Sequence, residues 1–168
     1  MDTLWAPWRM EYILRAKDEK PEPCIFCTRI EKDEDEKNLI LHRSSHGFII
    51  MNRFPYNNGH LMVVPYRHSG NILDLTPEEN QDLSYLIQLS VEALNRVMSP
   101  HGFNIGMNLG KVAGAGVDSH LHYHIVPRWN GDTNFMPIIS DTKVVSEALD
   151  KTYHKLHQAF QQILGEKK

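Results

Sequence analysis

Three histidines stand at every second position in the stretch SHLHYHIVPRW, residues 119–129: His120, His122 and His124. Side chains alternate between two faces along a β-strand, so a strand here places the three imidazoles in a row on one face. Imidazoles titrate near neutral pH, and one can attack as a nucleophile, another donate a proton and a third bind a metal. The alternation therefore predicts one small site that carries out chemistry.

A second group of reactive side chains lies near the amino terminus. The chain has two cysteines, and both are in the stretch CIFC as Cys24 and Cys27. This spacing is typical of half of a four-ligand zinc site, although it also occurs in redox motifs and in pairs of reduced, partly buried cysteines. If the spacing marks a zinc site, two further ligands must come from elsewhere in the chain.

Length and charge restrict the class of protein. With 168 residues and ordinary globular composition, the chain is expected to form one domain with a sizeable core. A formal net charge of −3 argues against a protein that coats nucleic acid, because that task depends on neutralising phosphates. No apolar run approaches the roughly 18 residues of a membrane span, and the first residues have no apolar signal-peptide core. We therefore expect a cytoplasmic protein with no membrane or nucleic-acid partner.

The order of predicted elements indicates an α+β fold. Strands are expected at residues 46–52 and 60–66, joined by a loop containing Asn58 and Gly59, and they form a plausible antiparallel pair. A long helix follows, with Thr76 as N-cap, Pro77 in its first position and Glu79 completing a capping box. A strand at 103–110, the histidine strand and a last helix from residue 140 or 141 to about 164 complete the chain. Consecutive strands with short links predict an antiparallel sheet with helices packed on it.

The stretch HLHYHIV, residues 120–126, resembles the signature of the histidine triad family, in which histidines alternate with apolar residues. The segments MNRFPYNNGHLMVVPYRH, before the long helix, and NLGKVAGAG, before the triad, are similar to that family as well. The resemblance implies a single domain over residues 1–168, with a sheet of about five strands and two main helices. It also implies a nucleotidyl hydrolase or transferase. Residues 1–23, which contain the large side chains Trp5, Trp8 and Tyr12, are expected to form an amino-terminal arm.

The resemblance implies a role for each of three histidines. His122 would attack the α-phosphorus of a nucleoside polyphosphate and form a covalent nucleotidyl-histidine, which divides one difficult displacement into two easier steps. His124 would donate a hydrogen bond to the α-phosphate. His60, which matches an upstream histidine of the family, would orient the triad; the alternative is an ordinary histidine at the start of a strand.

Four further residues are expected to bind the nucleotide. Asn52 matches the family position that contacts the ribose hydroxyls, although an asparagine before Arg53-Phe54-Pro55 also suits a turn. Asn108 can donate its amide to a phosphoryl oxygen, and backbone N–H groups around Gly114 and Gly116 can approach phosphates closely.

The family also implies the two missing metal ligands. In zinc-binding histidine triad proteins, and in the distantly similar galactose-1-phosphate uridylyltransferase, the ligands are a Cys-x-x-Cys pair, a downstream histidine and the first histidine of the triad. These positions correspond to Cys24, Cys27, His68 and His120 in this sequence. The resemblance thus predicts a closed, structural zinc site.

The segments LWAPWRMEYI and VPRWNGDTNF resemble bacterial diadenosine polyphosphate phosphorylases and their hydrolase relatives. This resemblance implies a dinucleoside polyphosphate substrate such as diadenosine tetraphosphate and a homodimer; water or phosphate could complete the reaction. Two alternatives are open: a purine nucleoside phosphoramidate hydrolase, and a non-catalytic nucleotide-binding or sensor protein.

Overall fold

A five-stranded antiparallel sheet forms the centre of the computed structural model, which describes residues 23–132 and 148–167. Its strands are β1 (Ile40–Arg43), β2 (Gly47–Met51), β3 (Leu61–Pro65), β4 (Gly102–Met107) and β5 (Tyr123–Arg128), in the spatial order β1-β2-β3-β5-β4. The helices are α1 (Ile25–Ile30), α2 (Asp35–Asn38), α3 (Pro77–Met98) and α4 (Leu149–Glu166), with short 3₁₀ turns at Ile72–Asp74 and Lys111–Ala113. The predicted α+β class with two main helices is confirmed.

Both faces of the central strands are covered, which explains why their sequences are continuously apolar. Ile49 on β2 and Leu61 on β3 point toward α3 and α4 and belong to the larger hydrophobic core. Phe48 on β2 and Met62 on β3 point the other way and form a smaller cluster with Phe26 of α1. This second face, under α1, is the one that carries the reactive side chains.

Helix α3 begins where the sequence predicts. Thr76 is the N-cap, its hydroxyl accepts a hydrogen bond from the Glu79 N–H, and the Glu79 carboxylate accepts from the Thr76 N–H, so the capping box is complete. Leu83, Leu86 and Leu94 on its buried side pack against the sheet and α4. None of the helices in residues 23–132 and 148–167 is long and apolar enough to cross a membrane.

The predicted hairpin is confirmed: β2 and β3 pair antiparallel, with Phe48 opposite Val64 and Ile50 opposite Met62. The loop between them requires glycine at its end. Gly59 has a φ of 74°, and a Cβ atom there would lie 2.6 Å from the Met98 sulfur. His60 follows directly and is buried immediately before β3.

Several element boundaries differ from the sequence-based expectations. Strand β1 and the two short helices were not predicted, although α2 lies at the end of the charged run 31–37. The strand expected at 103–110 ends at Met107, and β5 begins only at Tyr123, because the Leu121 N–H bonds to the Ser69 carbonyl in a loop at 2.8 Å. Helix α4 begins at Leu149 after an extended Ala148; the start expected at 140 or 141, like residues 1–22 of the predicted arm, lies outside the described residues.

Candidate active site and metal centre

An open cavity of about 170 Å³ lies on the sheet face that is covered by α1. Helix α1 contributes Ile25, Phe26 and Arg29; the loop between β2 and β3 contributes Asn52, Arg53, Phe54 and Tyr56; the histidine row contributes His122 and His124. Two triad imidazoles therefore share one concave, mostly apolar site with two cationic side chains, as is typical of a small-ligand pocket.

The His122 ring is held in a single tautomer. Its Nδ1 lies 2.9 Å from the backbone carbonyl oxygen of His120, and because a carbonyl only accepts, Nδ1 carries the proton and donates it. The lone pair is therefore on Nε2. The side chain is 5% exposed, and burial lowers the pKa of His122 from its usual value, so the imidazole is neutral at pH 7. A neutral, oriented imidazole is a competent nucleophile.

His60 and His124 form a hydrogen-bonded pair beside this nucleophile. The Tyr56 backbone N–H donates to His60 Nδ1 at 3.0 Å, so His60 carries its proton on Nε2. His60 Nε2 in turn lies 2.9 Å from His124 Nδ1 and donates to it. A neutral His124 then carries its own proton on Nε2. The His122 and His124 ring centroids are 4.9 Å apart, which brings a lone pair and an N–H donor to the same cavity.

The four predicted metal ligands meet at one point. One ligand atom each from Cys24, Cys27, His68 and His120 lies within 4.8 Å of all the others. His120 Nδ1 is 3.3 Å from Cys24 Sγ, 3.6 Å from Cys27 Sγ and 3.3 Å from His68 Nδ1. Tetrahedral zinc with bonds of about 2.3 Å to sulfur and about 2.0–2.1 Å to nitrogen separates its ligand atoms by roughly 3.3–3.8 Å. Donor set and spacing therefore fit a tetrahedral metal ion.

The His120 ring is already oriented for such an ion. His120 Nε2 lies 2.9 Å from the Pro65 carbonyl oxygen and donates to it, which leaves the Nδ1 lone pair facing the cysteines. The antiparallel pairing of β3 with β5, with Met62 opposite His124, brings the end of β3 beside the start of the triad. Gly70 permits the close approach of these segments, since a Cβ there would lie 2.2 Å from the Asp118 carbonyl oxygen.

Phe26 connects the cysteine cluster with the nucleophile. It lies between Cys24 and Cys27 in sequence and is 1% exposed. Its ring centroid is 5.3 Å from that of His120 and 5.1 Å from that of His122. The cysteines thus lie at the start of a helix whose aromatic side chain packs directly against the histidine row.

The predicted nucleotide-binding residues divide into two groups. Asn52 and Gly116 line the cavity; the Asn52 carboxamide oxygen also accepts from the Phe54 N–H at 2.9 Å, as in an asparagine turn. Asn108 and Gly114 are not among the residues that line it: the Asn108 amide donates to the Gly114 carbonyl at 3.3 Å. The structure therefore brings Asn52 and Gly116 to the triad, and places Asn108 and Gly114 in the adjoining loop.

Sequence analysis missed eight of the twelve residues that line the cavity, among them Phe26, Arg29, Arg53 and Tyr56. The sequence carries a signal for two of these four: Phe26 lies between the two cysteines, and Arg53 directly follows Asn52. His157 on α4 is half-buried, and its ring stacks on that of Tyr153 with centroids 5.6 Å apart. His154, one turn earlier on the same helix, is exposed.

The fold and the site define an α+β domain that carries a row of histidines beside a small apolar cavity, and sequence comparison identifies its family. The profile of the HIT domain matches residues 32–131, and the chain belongs to the HIT domain family. It is 40% identical over 157 residues to a protein named AP-4-A phosphorylase from Mycobacterium tuberculosis, which covers 90% of this chain and 80% of the relative. It is 31% identical over 112 residues to an asymmetrical bis(5'-nucleosyl)-tetraphosphatase from Schizosaccharomyces pombe, covering 67% of this chain and 58% of that protein.

A solved structure confirms the fold. The Zn-bound histidine triad family protein from Mycobacterium smegmatis superposes with a TM-score of 0.68 over 85% of this chain and 96% of that one, at 24% sequence identity. At this identity the likeness establishes the architecture only.

Proposed function

We propose that this chain is a nucleotidyl hydrolase or transferase that cleaves dinucleoside polyphosphates, such as diadenosine tetraphosphate, at the α-phosphate. One observation carries the proposal: the buried, neutral His122 keeps its lone pair on Nε2 at a cavity where His124 presents an N–H donor. The 40% identity to a protein named AP-4-A phosphorylase supports the substrate class, and the name of the tetraphosphatase relative agrees with it.

In the first step His122 Nε2 attacks the α-phosphorus. A P–N bond forms, and the bond between that phosphorus and the bridging oxygen breaks, so the leaving polyphosphate departs with the electron pair. The N–H of His124 donates to a phosphoryl oxygen as negative charge develops, and stabilisation of this kind provides most of the catalysis in phosphoryl transfer. Arg29 and Arg53 on the cavity wall attract the polyphosphate.

In the second step water or inorganic phosphate attacks the same phosphorus from the side that the leaving group has vacated. The P–N bond breaks, its electron pair returns to His122 Nε2, and the nucleotide leaves as AMP with water or as ADP with phosphate. The buried His122 is neutral again and ready for another cycle. The same first step serves both outcomes, so the acceptor alone decides between hydrolase and phosphorylase.

Product analysis tests the proposal. The protein is incubated with diadenosine tetraphosphate, with and without phosphate, and the products are identified by mass. ADP plus ATP that form only with phosphate indicate phosphorolysis, whereas AMP plus ATP indicate hydrolysis. Two ADP would mean attack at a β-phosphorus and would contradict cleavage at the α-phosphate. Cleavage of adenosine phosphoramidate but not of diadenosine tetraphosphate would favour the phosphoramidate hydrolase instead. Tight nucleotide binding with no product from either substrate would favour a sensor and contradict the proposal.

The ion at the cysteine and histidine cluster is proposed to be zinc in a structural role. Two thiolates and two imidazoles are the donor set that tetrahedral zinc prefers, and such a closed site leaves no position for substrate. A bound ion would fix α1, and with it Phe26, against the histidine row. The reactive steps above require only the chain's own histidines.

A homodimer and a cytoplasmic location are the remaining parts of the proposal. Strand β4 is at the edge of the sheet, and its Ile105 is 45% exposed, so a second copy can pair there and cover apolar surface. Sedimentation at micromolar concentration would give a single dimeric species. A monomer at that concentration would contradict this part of the proposal.

A further inference from the structure

Asp132 lies beyond β5, outside the cavity, and its carboxylate is the centre of a dense hydrogen-bond network. Its side chain is only 8% exposed. Arg128 donates to it twice, from Nε at 2.6 Å and Nη2 at 2.9 Å, and the Trp129 backbone N–H donates at 3.1 Å. The Asn57 side-chain amide adds a further donor at 2.9 Å. So many donors to one carboxylate make its position well defined.

The bond to Asn57 joins Asp132 to the loop between β2 and β3. The Asn57 amide also reaches the Pro127 carbonyl at 3.1 Å, while its own side-chain oxygen accepts from the Asn58 N–H at 3.1 Å. Asn57 is thus fixed on one side to β5 and on the other to its own loop. The loop conformation around residue 57 consequently depends on the carboxylate that receives the amide.

The same loop sets the tautomer of the catalytic pair. Residue 56 is the immediate neighbour of Asn57, and its N–H donates to His60 Nδ1 at 3.0 Å, beside the Asn52 amide at 3.3 Å. These two donors leave the proton of His60 on Nε2. The Asn57 carbonyl accepts from the His60 N–H at 3.2 Å, which fixes the other end of the turn. A shift of a few tenths of an ångström at Asn57 therefore alters two hydrogen bonds of His60: the one from the Tyr56 N–H to its ring and the one from its own N–H to the Asn57 carbonyl. Through the His60 ring the shift also reaches His124.

We infer that Asp132 is a positioning residue for the reaction: by holding Asn57, it keeps the Tyr56 N–H on His60 and the His60 N–H on His124. The inference rests on the roles proposed above for His60 and His124. The stretch WNGD, residues 129–132, thus has a role in catalysis although it lies outside the cavity. It acts through a chain of hydrogen bonds and not through contact with substrate.

The test combines kinetics with nitrogen NMR of the imidazoles in the full-length protein. Asp132→Asn preserves shape but removes the charge and replaces one of the two acceptor oxygens with an NH2 donor. We expect kcat to fall about tenfold, the effect of losing one well-oriented hydrogen bond in the transition state, while KM changes by less than about threefold. At pH 8 the ¹⁵N shifts should show His60 and His124 protonated on Nε2 alone in the wild type, and as tautomer mixtures in the variant.

Asn57→Ala is the second variant. It removes the hydrogen bond between Asn57 and Asp132 but keeps the ion pair between Asp132 and Arg128. It therefore tests the inference even if Asp132→Asn does not fold. The matched control is Asp35→Asn, which removes a similar carboxylate paired twice with Arg43 away from the site. Unchanged tautomers and a kcat equal to that of the control, in either folded variant, would overturn the inference. The shifts are measured without substrate, so they distinguish this failure from a failure of the proposed reaction.

Discussion

His60 Nε2 lies 2.9 Å from His124 Nδ1, and the Tyr56 N–H on the far side of the His60 ring fixes the direction of the proton between them. His124 therefore has one proton to offer, on Nε2. The lone pair of His122 and this donor are assigned by backbone groups, not by the substrate. Such preorganisation is what makes electrostatic stabilisation effective in an enzyme site.

Replacing His60 with phenylalanine tests this arrangement. The ring that stacks on Tyr56, with centroids 4.9 Å apart, is retained in shape, but the donor to His124 is lost. We expect kcat to fall by about two- to tenfold, since one hydrogen bond contributes about 0.5–1.5 kcal/mol and 1.4 kcal/mol corresponds to a factor of ten. Steady-state kinetics with diadenosine tetraphosphate provide the measurement. A kcat within twofold of the wild type would show that His124 needs no orienting partner.

The metal centre can be tested through Cys27→Ser. Loss of a thiolate ligand is expected to abolish stoichiometric zinc and to lower the free energy of unfolding by at least about 2 kcal/mol, because a ligand bound only to the native state at 100 times its Kd stabilises by about 2.7 kcal/mol. Elemental analysis and chemical denaturation provide the two readouts. Thr28→Ser, one residue further along α1, is the matched control; equal metal content in both variants would refute the assignment.

Arg53 provides a test of polyphosphate attraction. The side chain is exposed on the cavity wall and donates to the Lys37 carbonyl at 3.3 Å. Arg53→Gln should raise KM about two- to fivefold with little change in kcat, because exposed ion pairs contribute about 0.2–1 kcal/mol. The difference should shrink as salt is added. Arg96→Gln, at an exposed site on α3, is the control, and an equal effect of both changes would exclude a specific role for Arg53.

The stability of the fold should depend on pH through His42. Its ring stacks parallel to Phe160 with centroids 6.5 Å apart, and burial lowers its pKa, an effect that Asp82 partly offsets. The unfolded state then binds a proton at His42 more readily than the native state does. The stability that the buried, neutral imidazole contributes is therefore present above the unfolded pKa of about 6.5 and is lost as pH falls below it. Denaturation curves from pH 8 to 5.5 should show the wild type losing stability relative to His42→Phe.

The control for this comparison is His154→Phe, which removes an exposed imidazole from α4. A difference between wild type and His42→Phe that stays constant over the pH range would contradict the prediction.

The sequence alone predicted those parts of the fold that rest on local signals. The capping box at Thr76 and Glu79 locates α3, and the loop at Asn58 and Gly59 locates the hairpin of β2 and β3. Strand β1 was missed because ILHR is short and follows a charged run, so its strand conformation depends on pairing with β2. Helix α1 was missed because Pro21 and Pro23 stand just before Cys24 and proline disfavours regular structure, while the helix itself begins only after them.

The site shows the same division. Alternation along the chain predicts the row of histidines, and antiparallel pairing brings His68 to His120. Phe26 and Asp132 were missed because their importance arises from tertiary contacts: the first packs on two histidines about 95 residues away, and the second bonds to Asn57, 75 residues earlier. No spacing rule on a single sequence relates such pairs.

The central claim is that His122 Nε2 takes the nucleotide covalently. The most direct measurement is to mix the protein with diadenosine tetraphosphate labelled at the α-phosphorus, quench within milliseconds in base, where phosphorus–nitrogen bonds of histidine survive, and map the label by peptide mass spectrometry. The account predicts an adenylyl group on His122 in the wild type and none in His122→Asn, which should be folded but inactive. Rapid turnover without any labelled histidine, together with retained turnover in His122→Asn, would contradict it.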